Sequence, residues 1–463
     1  MLSNTLDQVF TKIDQLSQHF ITDRLAKAVG IQSVSSDLTT EGRTKVDQEA
    51  AGHTAVLKLP DVILANHPAT PDLKKRTVLI YGHYDVQPEG DGWTHPAWEL
   101  TEVNGKLYGR GSTDDKGPVL AWLSALEAYQ KAEVDVPVNL RLCFEGMEES
   151  GLVRFSEFAQ EHKDIFTKFD AACISDNYWL TTRKPCLTYG LRDINYFTIT
   201  IAQKPLPGHE PVPLHSGIYR GTVHEPMTEL VIMLSKLADS NGNILIPGIN
   251  GLVDDVTPDE IAQYEDIDFD MDEFRSTIGS EAAIYATAKD TLMHRWRYPS
   301  ITIHGINGAD PSPNQTTAIY PKVTGKFSIR TVPTMEGKAV MALVVHYLEQ
   351  EFKKPGSTNT CKVKQFGESA PYWVANTEDS DFAAGRAATN RVYNTKPDLT
   401  REGGSIGVTL DIQNALGHDK SIMLLPVGRS DDGAHGPDEK LDSDNHITER
   451  KLLGAYWWYF ANA

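Results

Sequence analysis

The stretch Tyr-Gly-His-Tyr-Asp-Val, residues Tyr81–Val86, decides the interpretation of the fold. It completes an apolar run, Thr-Val-Leu-Ile-Tyr at Thr77–Tyr81, whose length and β-branched residues predict a buried strand. The strand stops at Gly82 and then presents His83 and Asp85, which point in the same direction on an extended backbone. Ligands of open α/β sheets bind at such carboxyl ends. One of the two side chains can bind a metal while the other orients it, although a surface histidine beside a solvated aspartate explains the pair equally well.

Length and composition indicate a globular chain with more than one domain. With 463 residues the chain is too long for one typical core, so we expect two domains. Apolar residues make up 40 % and charged residues 23 %, which is typical of a globular protein. The 44 Lys and Arg residues face 63 Asp and Glu residues, giving a formal charge of −19. This balance argues against nucleic acid and against an anionic membrane as partners.

The cysteines and the first residues indicate a cytoplasmic protein. Four cysteines occur without paired spacing, Cys143, Cys173, Cys186 and Cys361. We expect free thiols and therefore a reducing compartment. Apolar residues recur at helical spacing over Leu6–Phe20, so we expect an amphipathic helix there and no secretory signal. The sequence has no apolar run of roughly 18 residues that could span a membrane.

Three further apolar runs predict strands that end in the same way as the first. They are Val138–Phe144, Ala171–Ile174 and Ile422–Leu425, followed respectively by Glu148 and Glu149, by Asp176 and by His435. A glycine-rich turn before a predicted helix near Pro118 adds Asp114 and Asp115. Because the carboxyl ends of parallel strands meet at one edge of a sheet, we expect these side chains to converge.

A gathering of imidazoles and carboxylates would repel itself unless a cation lay among them. Mixed nitrogen and oxygen ligation suits Zn²⁺ or Mn²⁺. Five ligands are too many for one open catalytic zinc and suit two cations that share a bridging carboxylate. The sequence therefore predicts a metal centre at the edge of the sheet.

The middle of the chain has a different pattern. Alternating strands are predicted at Tyr196–Ile201, Ile301–Ile303, Gly325–Arg330 and Cys361–Phe366, with helices at Met227–Leu237 and Met335–Phe352. A small sheet backed by two helices is the economical interpretation. We expect an α/β fold with a three-layer catalytic domain around a mostly parallel sheet, over residues 1–190 and 374–463. An α/β sandwich would be inserted at residues 191–373.

Seven stretches carry a family resemblance, nearly from one end of the chain to the other. They are Tyr-Gly-His-Tyr-Asp-Val-Gln-Pro (Tyr81–Pro88), Tyr-Gly-Arg-Gly-Ser-Thr-Asp-Asp-Lys-Gly-Pro (Tyr108–Pro118), Phe-Glu-Gly-Met-Glu-Glu-Ser-Gly (Phe144–Gly151), Cys-Ile-Ser-Asp-Asn-Tyr-Trp (Cys173–Trp179), His-Arg-Trp-Arg-Tyr-Pro-Ser (His294–Ser300), Thr-Arg-Glu-Gly-Gly-Ser-Ile (Thr400–Ile406) and Asp-Asp-Gly-Ala-His (Asp431–His435). The chain resembles the di-metal peptidase family of carboxypeptidase G and aminoacylase, and within it the carnosinase and cytosolic non-specific dipeptidase branch.

The resemblance implies a role for each residue of the metal centre. One metal would bind His83 and Asp176, the other would bind Glu149 and His435, and Asp114 would bridge the two. Asp85 would orient His83. Glu148 would be the general base that takes a proton from the attacking water and passes it to the leaving amine. Asp115 is better explained as a cap of the Pro118 helix. Neither Asp431 nor Asp432 is assigned a role, since turn geometry explains both.

The resemblance also implies that the inserted residues 191–373 form a lid and dimerisation domain, with substrate contacts and a homodimer. His215, in Leu214–Gly217, would reach into the active site of the partner subunit and stabilise the oxyanion. Arg330 would bind the C-terminal carboxylate of a peptide, with a structural salt bridge as the alternative. Thr317 and Ser405, the latter in a Gly-Gly-Ser turn, are similar to further substrate-contacting positions.

Three hypotheses of function follow from these residues. The first is hydrolysis of dipeptides, including Cys-Gly, by a di-metal-activated water. The second keeps the metals but makes the substrate an N-acyl amino acid. The third is a metal-bound, non-catalytic dimeric scaffold, which the retained Glu148 argues against because a structural metal site needs no base. A serine hydrolase built on Ser405 is disfavoured, since no Gly-x-Ser-x-Gly elbow surrounds it.

Overall fold

The computed structural model describes residues 2–34, 55–59, 62–150, 155–166, 168–312, 316–366, 372–404, 406–416 and 420–463. The helices are α1 (Leu2–His19, continued by a π-helical segment, Phe20–Leu25), α2 (Ala26–Val29), α3 (Lys116–Lys131), α4 (Phe155–Glu161), α5 (Lys163–Phe166), α6 (Ser216–Tyr219), α7 (Pro226–Leu234), α8 (Pro258–Asp266), α9 (Met271–Ile278), α10 (Ala288–Trp296), α11 (Gly337–Lys353), α12 (Ser380–Tyr393), α13 (Gly407–Leu416) and α14 (Ser443–Phe460). Within these ranges, no helix is long and apolar enough to cross a membrane.

The strands form one large sheet and three smaller ones. They are β1 (Ala55–Leu59), β2 (Val62–His67), β3 (Thr77–His83), β4 (Thr101–Val103), β5 (Lys106–Tyr108), β6 (Asn139–Glu145), β7 (Ala171–Ile174), β8 (Cys186–Leu191), β9 (Asp193–Ala202), β10 (Leu214–His215), β11 (Ser300–Asn307), β12 (Ala318–Ile319), β13 (Lys322–Thr331), β14 (Thr360–Phe366), β15 (Trp373–Val374), β16 (Asp398–Glu402), β17 (Ser421–Leu424) and β18 (Lys440–Asp442).

The large sheet has nine strands in the order β1-β2-β6-β3-β7-β17-β8-β15, with β16 pairing beside β8. Its centre is parallel, because β3 runs parallel to β6 and β7, and β17 runs parallel to β7. The flanking pairs β2–β6 and β17–β8 are antiparallel. The four parallel strands are the four that the sequence predicted, so their carboxyl ends meet at one edge.

Helices cover both faces of this sheet. Successive residues of β3 alternate, with Val78 and Ile80 in one core and Leu79 and Tyr81 in the other. The first core packs against α1, α3, α12 and α14, and the second against α4, α5 and α13. The predicted three-layer α/β architecture is therefore confirmed.

The chain leaves the large sheet at the end of β8 and returns in β15. Between them lies a four-stranded antiparallel sheet of order β11-β13-β9-β14. One face of this sheet packs on α7 and α11, through core residues such as Phe197, Val323 and Val344. These are the two predicted helices, although α7 ends at Leu234, three residues before the predicted end. The domain boundaries at 190/191 and 373/374 stay a prediction.

Three helices of this region, α8 to α10, were missed. Two of them, α8 and α10, build a small core of their own from Tyr264, Leu292, Met293 and Trp296, which packs on Leu180. The signal was present in the sequence, because Thr257 begins a Thr-Pro-Asp-Glu capping box and its hydroxyl accepts a hydrogen bond from the Glu260 amide. Strand β11 is also longer than the predicted Ile301–Ile303. A bulge between Ile303 and Gly305 and the exposure of its residues obscure the alternation there.

A buried polar network in α14 stabilises the core beside α1. His446 Nδ1 lies 2.9 Å from Glu449 Oε1, and Arg450 Nη2 lies 2.6 Å from His446 Nε2. All three side chains are fully buried. Arginine can only donate, so Nε2 accepts and the imidazole is neutral with its proton on Nδ1. Burial and the adjacent Arg450 cation hold the pKa of His446 well below its usual 6.5.

This network predicts a loss of stability in mild acid. The unfolded chain protonates its His446 below about pH 6.5, whereas the folded protein keeps the imidazole neutral. The free energy of unfolding therefore falls by about 1.4 kcal/mol for each pH unit below that point. Urea denaturation of wild type and His446→Gln at about pH 7.5 and about pH 5.5 measures this. We expect the variant to lose less stability on acidification, since its amide does not titrate. Equal losses in both proteins would contradict the assignment, because all other titrating groups are shared.

Candidate metal centre

His83 is the last residue of β3 and presents one free ring nitrogen. Its Nδ1 lies 3.0 Å from the backbone oxygen of Asp85 and 3.4 Å from Oδ1 of the same residue. Both side chains are almost completely buried. A hydrogen bond from Nδ1 fixes the tautomer and leaves Nε2 to bind a ligand. Burial lowers the pKa of His83, but the surrounding carboxylates, Asp176 foremost, outweigh burial and raise it well above 6.5.

The carboxylate of Asp114 lies between two imidazoles. Its Oδ1 is 3.3 Å from His83 Nε2, and its Oδ2 is 3.1 Å from His435 Nε2. The two histidines therefore face opposite oxygens of one carboxylate, and each pair has a further acid beside it. Asp176 Oδ1 lies 3.7 Å from His83 Nε2, and Glu149 Oε2 lies 3.0 Å from His435 Nε2. The result is two donor groups that share Asp114.

The loop of His435 adopts an unusual backbone conformation. His435 has φ of 62°, in the left-handed region that few residues other than glycine adopt. Its side chain is about half exposed, at 56 %, while that of Asp114 is buried. The pKa of His435 is raised to about 10, first by its hydrogen bond to Asp114 and then by the one to Glu149. This donor group therefore lies at the open side of the centre.

Asp115 does not cap α3, contrary to the sequence prediction. It occupies the N-cap position but makes no capping hydrogen bond with its side chain. Instead, Oδ2 accepts a hydrogen bond from the His83 amide at 3.1 Å. Gly82 makes this approach possible, since a Cβ there would lie 2.8 Å from Asp115 Oδ2 and 2.5 Å from Val119 Cγ2. The carboxylate is used to hold the end of β3 against the helix.

Asp85 positions the acidic pair as well as His83. Its two carboxylate oxygens accept hydrogen bonds from the amides of Glu148, at 3.3 Å, and Glu149, at 3.1 Å. These amides begin a 3₁₀ turn, Glu148–Ser150. Burial is the main cause that raises the pKa of Glu148 to about 8. A carboxyl group in this state can take up and release a proton near neutral pH.

The donor atoms fit a pair of divalent cations. Ligand atoms around a tetrahedral cation, at about 2.0–2.1 Å from it, lie roughly 3.3 Å apart. The nitrogen–oxygen separations in the two groups are 3.0–3.7 Å, which agrees. In addition, Glu149 Oε1 is buried without a hydrogen-bond partner. A buried carboxylate oxygen without a partner is costly unless something positive satisfies it.

The substrate-binding residues predicted in the inserted region lie in two places. His215 and Thr317 are neighbours: β10 pairs with β12, and the Ser216 amide donates to the Thr317 oxygen at 2.6 Å. Both side chains are exposed, and none of the hydrogen bonds described for them reaches the metal centre. Arg330 is in β13, and its Nη1 is buried without a hydrogen-bond partner. Ser405 lies outside the described residues.

Several side chains that hold the centre together were missed. Glu439 accepts hydrogen bonds from the loop of Asp114, Gln87 donates to Glu149 Oε2 at 2.9 Å, and Asp432 accepts from Thr113 Oγ1 at 3.0 Å. Asp432 does lie in a turn, where its Oδ2 also accepts a hydrogen bond from the Arg429 amide at 2.8 Å, and its side chain is buried. Nothing in the sequence marks Glu439 except its position four residues after His435. Its importance depends on long-range contacts.

A third group of acids is already neutralised. Asp431, Asp432 and Asp442 lie close enough to share a cation. The ammonium group of Lys440 lies 2.7 Å from an oxygen of each of them. Asp431 and Asp432 therefore bind the ammonium group of Lys440 and do not belong to the two donor groups that share Asp114.

The fold has three layers, with helices on both faces of the large sheet. Two histidine–carboxylate groups at the carboxyl ends of its parallel strands are the arrangement of a metallopeptidase. Residues 79–457 match the model of peptidase family M20/M25/M40, and the chain belongs to this family. The family resemblance drawn from the sequence is therefore confirmed.

Close relatives match over the whole chain. The Cys-Gly metallodipeptidase DUG1 of Candida albicans is 44 % identical, over 99 % of this chain and 98 % of its own. Among solved structures, the di-peptidase Dug1p of Saccharomyces cerevisiae has a TM-score of 0.84 at 42 % identity, covering 99 % of both chains. Human carnosine dipeptidase 1 has a TM-score of 0.85 at 38 % identity, again covering 99 % of both.

The donor groups predict that divalent cations stabilise the fold. Adding Zn²⁺ or Mn²⁺ to chelator-treated protein should raise the melting temperature, because a cation at 100-fold its Kd contributes about 2.7 kcal/mol per site. Calorimetric titration should give two cations per chain. Asp114→Asn should abolish this stoichiometry, since Asp114 belongs to both groups. Asp431→Asn is the matched control and should bind two, because Lys440 already fills the third group of acids. Two tight cations in the Asp114 variant would contradict the assignment.

Proposed function

We propose that the protein is a metal-dependent dipeptidase with two divalent cations bridged by Asp114. The observation that carries the proposal is that opposite oxygens of this carboxylate face His83 and His435 at 3.3 and 3.1 Å. One carboxylate placed in this way can bind two cations at once. The names of the relatives, Cys-Gly metallodipeptidase and carnosine dipeptidase, support dipeptides as the substrates.

Each cation would have its own donors besides Asp114. His83 and Asp176 would hold the first, and Glu149 and His435 the second. We propose Zn²⁺ as the resident ion, with Mn²⁺ as the alternative, since mixed imidazole and carboxylate donors suit both. When bound, the two cations lower the pKa of a water molecule and polarise the peptide carbonyl.

Glu148 would be the general base. It is adjacent to Glu149 yet belongs to neither donor group. Its amide is held by Asp85, which fixes the turn that directs its side chain into the site. Glu148 would take a proton from the attacking water and deliver it to the amine of the departing residue. Asp85 would contribute by orienting both His83 and this turn.

An arginine cluster supports recognition of a substrate carboxylate. Burial is the main reason that the pKa of Arg192 falls to about 10, and the cations of Arg330 and Arg295 add to it. Arg192 Nε donates to the Gly403 oxygen at 3.1 Å, two residues before Ser405 in the sequence. Like charges this close favour an anionic partner. The free Nη1 of Arg330 would donate to the C-terminal carboxylate of the dipeptide.

The inserted region would act as lid and dimer interface. We assign residues 191–373 to it, with the exposed pair His215 and Thr317 on its surface. His215 would enter the site of the partner subunit in a homodimer and stabilise the oxyanion. Exposed Ile303 and Ile306 on edge strand β11 support an interface on this sheet. We further propose a cytoplasmic location, which the four free cysteines support.

Activity assays of Glu148→Gln test the proposed chemistry. The variant should lose activity by at least about 10²-fold while still binding two cations, because only the proton acceptor is removed. Amino acid release from a panel of dipeptides, Cys-Gly included, is the measurement, with N-acetyl amino acids assayed beside it. Wild type should cleave the dipeptides.

The other outcomes of the panel distinguish the remaining functions. Cleavage confined to N-acetyl amino acids would assign the protein to the deacylases and refute the dipeptidase proposal. No cleavage by wild type with both cations bound would indicate the scaffold. Full activity in Glu148→Gln would refute the role of Glu148.

Subunit complementation tests the position of His215. His215→Ala and Glu148→Gln should each be inactive as homodimers. Co-expression of the two should restore about a quarter of the wild-type activity, because half of randomly assembled dimers are mixed and each mixed dimer has one complete site. No recovery, with mixed dimers present on native mass spectrometry, would mean that His215 acts within its own chain or only structurally.

A further inference from the structure

The carboxylate of Glu439 lies at the centre of three loops that surround the metal centre. It is fully buried, and each of its oxygens accepts two hydrogen bonds. Oε1 accepts from the amides of Thr113 at 3.0 Å and Asp114 at 3.1 Å. Oε2 accepts from the Gly111 amide at 3.1 Å and from Arg110 Nη1 at 2.6 Å. The Glu439 carbonyl oxygen also accepts from the Gly109 amide at 2.9 Å. The loop 109–114 is thus wrapped around a single side chain.

Arg110 extends this arrangement to the other two loops. Its Nη2 donates to the carbonyl oxygens of Gly436, at 3.1 Å, and Pro88, at 3.2 Å. Gly436 directly follows His435, and Pro88 closes the turn that follows His83 and Asp85. The buried Arg110–Glu439 pair therefore fixes the loops of three metal donors relative to one another. Removing one partner of a buried ion pair is strongly destabilising, because the other charge is then left buried and uncompensated.

The loop of His435 needs such support because its backbone is strained. Gly433, His435 and Asp438 all have positive φ, of 71°, 62° and 54°. Two of these residues are not glycine, and such conformations persist only where neighbouring contacts enforce them. Glu439 follows directly, and its contacts to the loop 109–114 supply that enforcement.

We infer that Glu439 is a positioning residue that sets the distance between Asp114 and His435 and so builds the second cation site. The inference rests on the proposed function. The two sites depend on it unequally. Two of the three donors of the second site, Asp114 and His435, lie on loops that Glu439 joins. In the first site Glu439 itself contacts only the loop of Asp114, because His83 is the last residue of β3 and Asp176 follows the end of β7 by two residues.

Glu439→Gln is the direct test. A glutamine side chain has only one acceptor oxygen. Its NH2 group would face two of the N–H donors that bind the carboxylate, so the loop 109–114 would lose the hydrogen bonds on that side. We expect affinity for the second cation to fall by about 10–100-fold, with the first little changed, so that limiting Zn²⁺ or Mn²⁺ gives one cation per chain instead of two. Calorimetric titration and metal analysis after dialysis measure this. Absorption of the Co²⁺-loaded protein reports the donor geometry independently of activity.

Two further variants separate positioning from general stability. Asp381→Asn changes another buried carboxylate, which accepts from Phe382 N and Ser421 Oγ at 2.8 Å far from the metal donors. It makes the same carboxylate-to-amide change at a buried site and should keep two cations with unchanged affinity. If Glu439→Gln fails to fold, Arg110→Gln keeps the carboxylate and removes the contacts to Gly436 and Pro88. It should show the same selective loss at smaller size, reversed by excess metal.

The outcomes distinguish this inference from the proposed function. Wild type that binds fewer than two cations would refute the proposed function itself. If Glu439→Gln binds both cations as tightly as wild type does, the inference alone is refuted. The inference is also refuted if the variant binds both cations more weakly by the same factor. A selective loss that excess metal restores, with kcat affected more than KM, would support it.

Discussion

The electrostatic balance around Asp114 is the constraint on which the rest of the structure depends. Two imidazoles and at least three carboxylates come from four parallel strands and one turn, and they would repel without positive charge among them. The protein meets this constraint by burying the donors and fixing each by a second contact. Asp85 holds His83 and the acidic turn, Asp115 holds the end of β3, and Glu439 holds Asp114. The donors are thereby positioned before a cation arrives.

Much of this could be predicted from the sequence, because apolar runs ending in His or acidic residues mark strands of a parallel sheet. Val138–Phe144 and Ala171–Ile174 are within about one residue of β6 and β7. The supporting residues could not be found in this way. Glu439 acts through contacts to a loop more than three hundred residues earlier in the chain, and local patterns carry no trace of them. Asp115 was misassigned because its helix-start position favours a cap, whereas the close approach at Gly82 gives it another partner.

Local contacts neutralise the excess negative charge of the chain. With a formal charge of −19, aspartates inevitably cluster in several places. Lys440 neutralises one such cluster with its own ammonium group, at 2.7 Å from each of three aspartates. A divalent ion would have to displace a buried, fully paired lysine to bind there. The groups around Asp114 differ from this aspartate cluster in two ways. They combine imidazole with carboxylate, and they contain an acceptor, Glu149 Oε1, without a partner.

The order of the donors along the chain has a consequence for biosynthesis. His83, Asp114 and Asp176 all precede the four-stranded sheet, so a ribosome has made every donor of the first group before it starts on β9. Glu149 can form its donor group only after His435 has been translated. The first five strands of the large sheet can likewise pair with β17 only at this late stage. Because domains fold as units during synthesis, the strands already made have to remain able to pair with β17 while the residues of the four-stranded sheet emerge and fold. The second donor group therefore marks how far synthesis has advanced: only a chain that has been translated past His435 and has added β17 to its sheet can contain it.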